Sequence, residues 1–412
     1  MRKSEASVSS RRRAIPITQN FGDPVISSAP LNSAVTRLSM PPIPAVQESA
    51  QNYDGHHGPL IDLSQAVPGY PAHPLLLTHL QESARQPELL GYGKIEGEPT
   101  LRDAYAADLR QVYHADVSDA EVHITSGCNQ AFVASALTVA GPGEKLLLVT
   151  PFYFNHESTL SMLGIGTKAV AAKAEDGFLP DPDLVKAAVT PDIRALVCVT
   201  PNNPTGAVYP PDLMDVLFDI CVERGIWLIV DETYRDFLPG NAAQPHRLFQ
   251  RPNWRNHLIG LYSFSKSFCI PGHRLGAVTA GRDIVMQIAK VMDNLQICAP
   301  RPPQCAVAKA MPQLGDWRDS NRAEIARRRD SLEKVVSGLS NWQIASIGAY
   351  FSYIRHPFEG SASVDVAARL AAERGVLCLP GAFFGEGQDA FLRLAFANAG
   401  CSELEELSVR LA

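Results

Sequence analysis

Between Glu121 and Ala280 the chain alternates short apolar runs with longer mixed segments. The strand-like runs are Val122–Thr125, Lys145–Thr150, Lys168–Ala172, Ala195–Thr200, Trp227–Asp231, Leu258–Phe264 and Gly276–Ala280. They are rich in β-branched residues and leucine and lack clean apolar/polar alternation, as expected for strands buried on both faces. The segments between them read mainly as helices or loops. The expected architecture is therefore α/β, a mostly parallel seven-stranded sheet sandwiched by helices. In such open sheets ligands bind beyond the carboxyl ends of the strands, and the polar clusters of interest all fall there.

Beyond about residue 310 the pattern changes. Trp317–Leu339 reads as a long charged helix with its arginines toward solvent. Gly348–Ile354, Gly375–Pro380 and Leu392–Phe396 read as strands of a smaller α/β domain. Upstream, a Pro41-Pro42-x-Pro44 break precedes a short helix-like segment. The expected division is a basic tail over 1–28, the N-terminal part of the small domain over 29–60, a large domain over 61–310, and the rest of the small domain over 311–412. The tail is rich in Ser and Arg, including Arg11-Arg12-Arg13, and has no apolar stretch after the arginines. It reads as disordered, with a transit peptide as the alternative.

Composition narrows the function classes. A chain of 412 residues, 46% hydrophobic and 19% charged, is that of a soluble globular protein with one large and one smaller domain. The net charge of −6 gives no reason to expect nucleic acid or an anionic membrane as partner. Eight scattered cysteines, without a C-x-x-C pair or zinc-type spacing, read as reduced thiols in a cytoplasm and give no metal site. No run of about 18 apolar residues suggests a membrane span.

The chemistry centres on Lys266. It stands just past the run Leu258–Tyr262, between Ser263, Ser265 and the turn Pro271-Gly272, with Arg274 eight residues on. A lone lysine there would read as a snorkelling surface group. Flanking hydroxyls and a second cation instead suggest a desolvated amine, able to form a Schiff base with a carbonyl cofactor, beside a phosphate site. The pattern S-x-S-K-x-x-x-x-P-G-x-R-x-G resembles the pyridoxal-phosphate lysine signature of the class I/II aminotransferases, the fold type I, aspartate aminotransferase-like superfamily.

Other segments carry the resemblance in order. Ile61–Tyr70 is similar to the family's substrate-entry segment, with Ala66 where a glycine is usual. Gly91–Arg102 is similar to its Tyr-Gly…Gly-x-Pro-x-Leu-Arg segment, which implies that Tyr92 reaches the cofactor phosphate of a neighbouring subunit. The same stretch reads equally as a glycine-rich loop capping a helix that starts near Thr100. Ser126-Gly127-Cys128-Asn129-Gln130 enters a helix, and a helix N-terminus suits a phosphate. The resemblance implies a phosphate site at Gly127, Cys128 and Asn129, completed by Ser263 and Arg274. It further implies that Tyr153 stacks on the cofactor ring and that His156 stands behind Asp231. Asn203, of Asn203-Pro204-Thr205-Gly206, and Tyr234 would bond the phenolic oxygen, with Asn203 also near the substrate. Asp231 would keep the ring nitrogen charged, and Arg393 would clamp the substrate α-carboxylate as a bidentate partner.

The implied activity is a pyridoxal 5'-phosphate-dependent aminotransferase, moving an amino group between an amino acid and a 2-oxo acid through a Lys266 Schiff base, in a homodimer with shared sites. Carbon–sulfur β-elimination or oxygen-dependent oxidation on the same scaffold is the alternative. A regulator with this fold would need a DNA-binding domain ahead of it, for which the tail is too short. In the branch specific for dicarboxylates a second arginine binds the side-chain carboxylate; here Gln296 takes that position, with Arg301 five residues on.

Overall fold

The computed structural model describes residues 30–238 and 244–412. The expected tail over 1–28 lies outside the described residues. The central sheet has seven strands: β1 Val122–Thr125, β2 Lys145–Thr150, β3 Gly166–Ala171, β4 Ile193–Val199, β5 Trp227–Asp231, β6 Leu258–Ser263 and β7 Gly276–Ala280. Their spatial order is β1-β7-β6-β5-β4-β2-β3, and only β7 runs antiparallel to its neighbours. The expected mostly parallel α/β sheet is therefore what forms.

The inner strands β2, β4, β5 and β6 read as near-continuous apolar runs because both faces are covered. Leu147 and Val149 of β2, Leu228 and Val230 of β5, and Leu258 of β6 enter one core. Leu146 and Leu148, Ile229, and Ile259 and Leu261 enter the core on the other face. Successive side chains of a strand point to opposite faces, so a doubly covered strand needs apolar residues at every position. Strand β6 stops one residue earlier than its pattern predicts. The Ser263 side chain accepts the Ser265 N–H and caps a one-turn helix, Phe264–Ser267, which draws Phe264 out of the sheet.

A second sheet is antiparallel, in the order Leu379–Pro380, Phe391–Leu394, Phe351–Arg355, Gln343–Gly348. The sequence pattern starts a strand at Gly348. The structure instead turns at Ala349 and Tyr350, with Ala349 at φ 44°, and Gln343–Gly348 is the returning edge strand. That strand is half-buried, so its apolar signal is diluted. Ile61–Asp62 pairs in parallel with Val376–Leu377, which joins a segment ahead of the central sheet to one beyond it.

The long helix spans Gly315–Ser337, and its arginines do not all face solvent. Arg318 lies 2.9 Å from Asp108 and 2.5 Å from Asp236, while Arg328 is buried and donates to the Ala397 carbonyl at 2.6 Å. Charge alone does not reveal that two of the helix's cations point inward to carboxylate and carbonyl partners. Where the two sheets meet, Gly206 has φ +75° and a Cβ there would stand 2.4 Å from the Gly348 nitrogen, so the backbones touch directly. Among the described residues no helix is long and apolar enough to cross a membrane.

Candidate active site

Six loops converge at one edge of the central sheet. Five follow the carboxyl ends of β1, β2, β4, β5 and β6. Arg274 arrives at the same edge because β7 is antiparallel and starts there. The one-turn helix after β6 presents Lys266, whose Nζ donates to the Ala66 carbonyl. Burial, with the Arg393 and Arg274 cations, lowers the Lys266 amine to about 8.

Asp231 ends β5 and is buried. Burial would raise its carboxyl, but hydrogen bonds from His156 and from Thr233 outweigh that and hold it below the usual range. His156 Nε2 lies 3.4 Å from one carboxylate oxygen. The Thr233 N–H donates to the other at 3.0 Å, and the Cys128 thiol is 3.6 Å from it. His156 stacks on Phe132 with centroids 4.0 Å apart. The histidine is therefore packed between Phe132 and the Asp231 carboxylate.

Arg393 is 2% exposed, and among the described residues it has no carboxylate partner. It donates to Asn203 Oδ1 at 3.1 Å and to the Ser64 carbonyl, while its Nε has no partner. Burial lowers its guanidinium to about 10. A buried cation without a counter-ion is costly unless an anion reaches it. With its carbonyl engaged by Arg393, Asn203 has its NH2 group left to donate.

Gly127 precedes the helix Cys128–Val139 at φ +91° and ψ 165°, a region that side chains avoid. A Cβ there would lie 2.4 Å from Arg274 Nη2. Gly127→Ala is expected to lower stability by about 1–3 kcal/mol, from strain and displacement of Arg274, as a denaturant melt would show. Burial raises the Tyr153 hydroxyl, while the Asn129 and Asn155 amides pull it down; Asn155 donates to it at 2.7 Å. Tyr234 is buried against Tyr350 and Phe351, with centroids 5.3 and 4.9 Å away.

One cleft of about 310 Å³ brings together Lys266, Asp231, Tyr153, Cys128, Asn129, Asn203, Tyr234, Ser263, Arg274, Arg393 and Ala66. Tyr92 does not line it; it projects from the surface, 79% exposed. The thiol of Cys128 points to Asp231, a contact that its place in the glycine turn does not reveal. Sequence reasoning passes over Ile43, Val67 and Phe154, which also line the cleft. Their only signal is apolarity in segments with no clear period.

Comparison with known proteins puts this cleft in a class. A family model, aminotransferase class I and II, matches residues 50–411, and the chain belongs to that family. It is an aminotransferase, moving an amino group between an amino acid and a 2-oxo acid. The chain is 26% identical over 358 residues to an aromatic aminotransferase, ISS1, from Arabidopsis thaliana, covering 85% of this chain and 88% of the relative. It is 28% identical over 330 residues to an aspartate/prephenate aminotransferase from Thermus thermophilus, covering 78% and 83%. A solved double mutant of the Thermus thermophilus aspartate aminotransferase superposes with a TM-score of 0.85 at 25% identity, over 93% of this chain and 98% of that one.

Proposed function

We propose that this cleft binds pyridoxal phosphate and that Lys266, Asp231 and Arg393 carry the transamination. The family implies the cofactor. One observation supports these assignments above the others: a desolvated amine, a buried ionised carboxylate and a buried guanidinium without a counter-ion share one cleft.

The donor set fits the group. Gly127 leaves room for Arg274 beside the helix N-terminus, where backbone N–H groups of residues 127–129, Ser263 and Arg274 suit a phosphate. Asp231 suits a protonated ring nitrogen, and Asn203 and Tyr234 suit a phenolate oxygen. Tyr153 supplies an aromatic wall. When bound, pyridoxal phosphate supplies an aldehyde for amine attachment and a ring that withdraws electrons from the substrate's α-carbon.

Within that frame the protein's groups divide the work. Lys266, mostly neutral above its lowered pKa, holds the cofactor and then accepts and returns the α-carbon proton. Arg393 binds the α-carboxylate and orients the substrate about it, with Asn203 bracing the guanidinium. The test is a single-turnover reaction with an amino donor alone. One equivalent of 2-oxo acid should appear per site, with no oxygen uptake and no side-chain fragment released, and further turnover should need a 2-oxo acid acceptor. Oxygen-dependent or acceptor-independent turnover would instead support the oxidase or β-lyase alternative.

We also infer a homodimer with shared sites, built around the surface that carries Tyr92. Leu90, Tyr92, Leu295 and Ile297 are exposed there. The Gly93 N–H, 3.4 Å from Cys298 Sγ, and Arg301, bonded to Glu98 and to the Glu88 and Gly91 carbonyls, join the two segments. Mixing Lys266→Ala subunits with Tyr92→Phe subunits is expected to recover activity above either parent, because a heterodimer keeps one undamaged site. No recovery after verified subunit exchange would remove Tyr92 from the neighbour's site. Residues 61–310 serve as the cofactor-binding domain, with 29–60 and 311–412 as its cover. Eight free cysteines favour a cytoplasmic setting, and the net charge of −6 does not favour nucleic acid.

A further inference from the structure

We propose that the cleft selects amino acids with apolar side chains, aliphatic or aromatic, and that Ile43 and Val67 are the residues that select them. The inference rests on the site reading above and adds the substrate class to it.

Three cations line the cleft among the described residues: Lys266, Arg274 and Arg393. On that reading the cofactor aldehyde, the phosphate and the α-carboxylate would engage all three. What remains for a substrate side chain is largely apolar. Phe154 lies 5.0 Å from the Tyr153 ring and 5.8 Å from Phe384, measured between centroids. Phe384 in turn lies 5.4 Å from the Arg393 guanidinium. Phe384 is fully buried and backs the cleft from behind, so the apolar side chains that face a substrate are those of Ile43, Val67 and Phe154. Ile43, on the helix Pro42–Ser49, lines the same cleft and packs with Phe154 against the main core. Val67 follows Ala66, whose carbonyl already holds the Lys266 amine.

A substrate held by its carboxylate at Arg393, with its amino group at the cofactor aldehyde beside Lys266, would rest its side chain against this wall. Apolar side chains gain from burial there, whereas a second carboxylate would lose water without gaining a counter-ion. Gln296, in register with the dicarboxylate-binding arginine, and Arg301, five residues on, are already engaged within the chain. Gln296 accepts from Gln130 Nε2 at 2.6 Å, and Arg301 is 2.6 Å from Glu98.

The test uses two inert ligands on the cofactor-loaded protein, 4-methylpentanoate and succinate, with binding measured by calorimetry. The same preparation is assayed with leucine, phenylalanine, aspartate and glutamate as donors. The expected result is 4-methylpentanoate binding about tenfold or more tighter than succinate, with the donors' kcat/KM in the same order. Ile43→Arg and Val67→Arg, each checked for an unchanged melting curve, should shift the ratio toward succinate by about tenfold or more. Equal or tighter succinate binding in the parent would overturn the inference while leaving the aminotransferase site intact. An unchanged ratio in both folded variants would also overturn it. If neither ligand binds and no donor is deaminated, the site reading itself fails and the inference with it.

Discussion

Replacing Lys266 with alanine is expected to lower transamination by about 10⁴-fold or more, because on the proposed assignment one side chain would both hold the cofactor and move the proton. The amine is placed for both tasks by the serine-capped turn after β6, and the Ala66 carbonyl fixes its position. Borohydride reduction of the loaded parent should fix the cofactor on a peptide containing Lys266, and the variant should give no such adduct. An adduct on another lysine of the parent would overturn the assignment. The pH dependence gives a second reading. Only the neutral amine is nucleophilic, and its fraction rises as pH passes the pKa. With that pKa lowered from 10.5 to about 8, roughly a tenth of Lys266 is neutral at pH 7, about 300 times more than for an unshifted lysine. Acylation of Lys266 by a small neutral reagent in the apoprotein, followed by mass spectrometry, should therefore level off above about pH 8. A rise continuing through pH 10 would show that the amine is not desolvated.

The parts of this molecule that are legible in its sequence are those where one physical constraint dominates. Strands buried on both faces must be apolar throughout, so Lys145–Thr150 and Trp227–Asp231 are visible with their ends correct. The polar residues after those strands stand out because nothing in the cores explains them. Features that depend on two distant segments leave weaker traces. Gln343–Gly348 is an edge strand with partly exposed side chains, and Arg318 and Arg328 turn inward to partners scattered along the chain. Ile43 joins the cleft across the fold, more than 200 residues before Lys266. The contact between Cys128 and Asp231 is of the same kind, since neither local pattern encodes it.

Asp231→Ala, the second large effect, follows from a balance of burial against donors. Burial disfavours the charged carboxylate, yet the hydrogen bonds and charge of His156 and the hydrogen bonds from Thr233 leave it ionised at neutral pH. The negative charge is thus kept where it faces the cleft. A protonated ring nitrogen placed against it would be stabilised, and that proton makes the ring an effective electron sink. Breaking such a buried pair costs about 3–5 kcal/mol, which is about 10²–10⁴-fold in rate if the pair is needed in the transition state. Asp231→Asn should lose nearly as much as Asp231→Ala, since it keeps the shape but not the charge, whereas a purely structural role would leave Asn close to the parent. The check is a comparison of kcat and of the bound cofactor's absorbance across pH in Ala, Asn and Glu variants, each with cofactor content measured. Near-parent kcat in the Asn variant with full cofactor would remove Asp231 from the chemistry. Partial recovery in Asp231→Glu, with the absorbance profile moving back toward the parent, would identify the charge itself as what the reaction requires.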